Sequence, residues 1–62
     1  MTAKKALEQI SGIISEKRNE LYKEVAFANE HNFELEAIAL RYKIEAYSDI
    51  QGEVLMMLHN IG

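Results

Sequence analysis

Apolar residues in the first half of the chain recur by threes and fours: Ala3, Leu7, Ile10, Ile14, Leu21, Val25 and Ala28. That spacing lays them along one face of a helix, so the pattern predicts an α-helix from about Thr2 to Asn29. The second half repeats the rule with Phe33, Ala37, Leu40, Ile44, Tyr47, Val54, Leu58 and Ile61, predicting a helix from about Asn32 to Asn60. One polar residue interrupts each row, Arg18 in the first and Gln51 in the second. The chain has no proline, and its glycines stand only at Gly12, Gly52 and Gly62. Neither helix therefore meets the strongest breaker.

The turn-forming residues cluster at Asn29-Glu30-His31-Asn32, almost at the midpoint. Asn29 is expected to take the left-handed conformation that ends the first helix. Asn32 is expected to be the N-cap of the second, with Glu34 and Glu36 favouring its positive end. Asn60 and Gly62 supply a stop. Folding back at 29–32 makes the two rows fit, because antiparallel neighbours have numbers that add to a constant. Ala28 with Phe33, Leu21 with Leu40, Ile14 with Tyr47, Leu7 with Val54 and Ala3 with Leu58 all satisfy one constant. Val25 with Ala37 and Arg18 with Ile44 fall one higher. The predicted fold is all-α, an antiparallel two-helix hairpin forming a single unit over residues 1–62.

The second helix carries more apolar surface than the first can cover. At about 100° per residue, Leu35, Ala39, Tyr42, Ala46, Ile50 and Met57 form another row beside the seam. Together the rows span on the order of 200°, twice the stripe of an ordinary surface helix. Such a surplus marks an interface. A homodimeric four-helix bundle with the second helix central is the simplest way to cover it; a helix of another protein in the same groove satisfies the same physics. Gln51 is expected to hydrogen-bond across a dimer axis and fix register, or to reach a partner, and Arg18 to snorkel to the bundle edge or do the same. Met56 and Met57, in the sticky run Val54-Leu55-Met56-Met57-Leu58, suit an adaptable binding surface. Gly12 falls almost level with Ile50 and Gly52, which marks either a close helix approach or a point of bending.

Composition points the same way. Sixty-two residues make one small domain, and scaffolds of this size need disulfides, a metal or oligomerisation to hold together. There is no cysteine, which removes the first and fits a reducing cytoplasm. A hydrophobic share of 48% with 27% charged residues argues against disorder. The net charge of −3 gives no general attraction to nucleic acid or to a membrane surface. No stretch reads as a membrane span or a secretion signal, so a cytoplasmic protein is expected. A small hairpin of this kind also fits a phage or mobile-element origin.

Catalytic and metal chemistry finds no carrier. His31 sits in the turn and His59 in the last helical turn, where an imidazolium suits the helix C-terminus. Di-metal bundle sites use Glu-x-x-His, but Ala28 and Met56 stand three residues before the two histidines. Glu16, Glu20 and Glu24, like Glu45, Asp49 and Glu53, run at i,i+4 as solvated ridges. There is no phosphate-binding glycine loop and no nucleophile–His–acid set. The expectation is a non-enzymatic chain with no cofactor and no metal, acting as an adaptor, inhibitor or regulator on itself and on another protein.

Two resemblances imply other activities. In length, midpoint turn and two-helix layout the chain resembles the Rop-type plasmid copy-number regulators, whose dimer binds paired RNA loops. The likeness is architectural and covers the chain without a shared motif. An RNA-binding role would fall to Lys4, Lys5, Lys17, Arg18, Lys23, Arg41 and Lys43, which are interleaved with acids rather than gathered in a stripe. The stretch Ile14-Ser15-Glu16-Lys17-Arg18-Asn19-Glu20-Leu21 is similar to the first helix of the Spo0E-like aspartyl-phosphate phosphatases. Their Ser-Gln-Glu-Leu-Asp signature has no counterpart; the nearest text is Arg41-Tyr42-Lys43-Ile44-Glu45.

Overall fold

The computed structural model describes residues 2–61. Two helices, α1 (Ala3–Glu30) and α2 (Glu34–Ile61), pack against each other as an antiparallel hairpin. Thr2 caps α1: its hydroxyl oxygen accepts from the Lys5 N–H at 3.1 Å, and its carbonyl accepts from Ala6. Glu34 and Glu36 occupy the first turn of α2 and His59 its last, each complementing the helix dipole. Helix α2 runs on through Asn60 to Ile61, and Gly62, expected to help stop it, lies outside the described residues.

The connection departs from the sequence expectation. Asn29 is helical, and Asn32 takes the left-handed conformation with φ 59°. The Phe33 N–H donates to the Ala28 carbonyl at 2.8 Å and the Asn32 N–H to Asn29 at 3.3 Å. These are the two reversed bonds of a Schellman ending, with asparagine where glycine is commoner. Its customary hydrophobic contact is there too, the Phe27 and Phe33 rings lying 6.5 Å apart. Asn32 is thus spent on terminating α1 and is not the N-cap of α2, whose first bond uses the Phe33 carbonyl.

Moving the pivot shifts the register. The seam is Leu7, Ser11, Ile14, Arg18, Leu21, Val25 and Ala28 against Ala37, Leu40, Ile44, Tyr47, Gln51, Val54 and Leu58, with Ala6 and Ser48 half-buried at its flanks. Spacings of three and four alternate strictly, the 3.5-residue repeat of a coiled coil. The two sets mirror each other about the connection so that Leu21 faces Ile44, one helical turn further along α2 than Leu40. Ser11 enters the seam in place of Ile10, which is 43% exposed, while Ala3, Phe33 and Ile61 are also exposed.

A 28-residue helix is about 42 Å long. The hairpin measures 44 × 16 × 11 Å, a slab one helix thick. Its radius of gyration, 14.3 Å, exceeds the about 11 Å of a compact chain of this length. Only Ile14, Leu21, Ala28, Ala37, Ile44 and Val54 are buried among the described residues. Apart from half-buried Ala6 and Ser48, the described residues off the seam are exposed.

Candidate interaction surface

One broad side of the slab carries a shallow groove between the helices, about 550 Å³, with Leu21, Ala46 and Tyr47 along its length and Ile50 at one end. Lys17, Glu20 and Glu24 from α1 and Lys43 from α2 form its rims. Helical spacing extends this side past the groove: Ile10 and Ile13 continue the α1 line, and Ala39 and Met57 the α2 line. Small Ala46 makes the hollow, because its methyl leaves the space that a larger side chain between Lys43 and Ile50 would fill.

The residues expected at an interface divide into three groups. Ala39, Ala46, Ile50 and Met57 share the groove side, with Ile50 47% and Met57 51% exposed. Leu35, Tyr42 and Met56 fall on the back of α2, away from α1, and are the most open large apolar side chains described, at 83%, 67% and 68%. Gln51 lies in the seam instead. Arg18 Nη1 donates to its Oε1 at 2.6 Å, and its Nε2 donates to Ser15 Oγ at 2.8 Å and to the Ser11 carbonyl at 3.3 Å. Both faces of its amide are used within the hairpin. The two polar interruptions answer each other as one cross-seam layer, with only Arg18 Nε buried and unpartnered. Such a layer costs stability relative to apolar packing but penalises any slipped register, which would strand both side chains.

The closed end holds a feature that the row pattern does not show. His31 stacks on Phe27 with ring centroids 4.1 Å apart and lies 5.9 Å from Phe33. Its Nδ1 lies 2.9 Å from the Phe27 carbonyl, which can only accept, so that nitrogen carries the proton. Phe27 and Phe33 stay 56% and 45% exposed. The i,i+4 spacing of Phe27 and His31 is a signal for this cluster. The groove had none in either helix alone, since its charged rims read as separate solvated ridges.

Among the described residues no group of three or more His, Asp or Glu side chains comes together in a way that could hold a metal ion. Glu16, Glu20, Glu24, Glu45, Asp49 and Glu53 are all exposed. No described helix is long and apolar enough to cross a membrane. Compared with protein-family profiles, curated proteins and solved structures, the chain finds no match in any of the three.

Proposed function

We propose that the chain is a non-enzymatic protein–protein interaction module, an adaptor, inhibitor or regulator, that works as a homodimeric four-helix bundle. The observation that carries this reading is the outward surface of α2, where Leu35, Tyr42, Ile50, Met56 and Met57 stand about half exposed or more around Ala39 and Ala46. Contiguous apolar surface of this kind is costly in water and is ordinarily covered by a partner. A slab one helix thick cannot cover it from within. A second slab laid against the Ala39–Ala46–Ile50–Met57 side makes four helices around a shared core, the usual solution for antiparallel hairpins, and the Leu35–Tyr42–Met56 edge is left for another protein.

Sedimentation of the wild type and of the Tyr42→Glu/Ala46→Glu variant tests the reading. The wild type is expected at twice the chain mass at micromolar concentration. The variant is expected to lose self-association together with part of its helical content. A wild type that is a well-folded monomer and binds no apolar dye would overturn the proposal.

A further inference from the structure

We infer that two copies of this chain meet groove to groove, with Ala46 of each hairpin at the crossing and the lysines of one copy facing the glutamates of the other. The inference rests on the dimer reading above and assigns it a face. Three observations carry it.

The first is charge. Lys17 and Lys43 stand against Glu20 and Glu24 around one hollow, two cations and two anions. A two-fold interface brings a patch against itself, so every contact occurs twice and the patch must be its own complement. A balanced rim meets that condition, whereas a rim of one sign repels its copy. Exposed ion pairs contribute little affinity, but like charges opposed across an interface are strongly unfavourable, so this rim fixes orientation and partner choice.

The second is shape. Helix axes pack about 8–10 Å apart, at the close end of that range where the side chains at the crossing are small. Ala46 supplies that point on α2, with Ala39 on the same line and Ile50 and Met57 beyond it ready to interdigitate. The back of α2 lacks this form, since Leu35, Tyr42 and Met56 stand up from it.

The third is area. A folded monomer of 7.1 kDa is expected to expose about 4,100 Å². The hairpin exposes 4878 Å². The surplus, roughly 800 Å², is what one partner gives up in an interface of standard size. One slab-on-slab contact brings the chain to the ordinary ratio, leaving the Leu35–Tyr42–Met56 edge available after pairing.

A charge-swap experiment decides the matter. The Lys17→Glu/Lys43→Glu variant surrounds the groove with four carboxylates, and Glu20→Lys/Glu24→Lys with four ammonium groups. Neither substitution touches the seam. Each variant alone is expected to self-associate at least about tenfold more weakly than wild type by sedimentation equilibrium. A one-to-one mixture is expected to restore a dimer containing both chains, seen by labelling one of them. Repair by mixing cannot arise from charge pairs inside one hairpin, since each chain keeps its own altered rim. If a variant alone loses helix, recovery of the circular dichroism signal on mixing reads the same result. Ile38→Glu, on the other side of α2, is expected to leave the dimer intact. Variants that associate like the wild type, or a mixture that gains nothing, would overturn the groove-to-groove arrangement while leaving a dimeric wild type to support the broader reading. A monomeric wild type would remove both.

Discussion

Helices α1 and α2 are each 28 residues long and give the same number of positions to their common seam, yet their remaining surfaces differ. Helix α1 leaves four large apolar side chains at least 43% exposed, Ile10, Ile13, Tyr22 and Phe27, and fills most of its outer side with Glu8, Glu16, Lys23 and other polar groups. Helix α2 leaves eight, from Leu35 at 83% to Ile38 and Ile50 at 47%. It is the more apolar helix and the less sharply amphipathic one. A helix that needs one neighbour concentrates its apolar residues in one stripe, as α1 does. One that expects neighbours on two sides spreads them, as α2 does. The asymmetry separates a helix whose apolar residues serve mainly the seam from one that carries a surplus outside it.

The largest effect should come from the seam, where the helices are equals. Leu21→Ala and Ile44→Ala each remove a buried side chain from the same layer, and each is expected to cost about 2–4 kcal/mol in urea unfolding. Unequal losses would show that one helix contributes more to the hairpin than its burial implies. Off the seam the helices should part company. Ile50 on α2 and Tyr22 on α1 have almost the same exposure, 47% and 51%. Truncating Ile50 to Ala is expected to weaken self-association by about 2 kcal/mol, and Tyr22→Ala to stay within about 0.5 kcal/mol, by sedimentation equilibrium. Equal effects would erase the proposed distinction between a helix covered by a second copy and one left in solvent. The smallest effect concerns Gly12 and Gly52, where a methyl group would meet nothing within 4 Å. Alanine at either is expected to gain up to about 1 kcal/mol of stability in thermal melts, through helix propensity alone. A gain at Gly12 but not at Gly52 would place a partner on that side of α2 as well.

Both helices and the midpoint reversal were legible in the residues, because a 3.5-residue spacing and an asparagine-rich break are local signals. The register was not. Asn29 and Asn32 are equally able to take positive φ, and choosing the first brings the pivot forward and pairs Leu21 with Leu40 rather than Ile44. The same slip set Arg18 opposite Ile44 and hid its bond to Gln51, although each had stood out as a departure from its row. The exposed apolar side of α2 followed directly from the angles between residues on one helix. The groove could not, since Lys17 and Lys43 come together only once the two helices are set side by side.

The reversal at Asn32 also has a bearing on how the chain finds its shape. Ala28 and Ala37 close the first layer across about nine residues, a short loop with a small entropic cost. Each later layer lengthens a ladder that is already anchored, so no contact has to be found by a long search. Chains whose neighbours in space are neighbours along the backbone fold fastest, within microseconds to milliseconds. The hairpin should close like a zip from its aromatic end toward its termini, and in the proposed dimer the encounter between two molecules would then be the slow event.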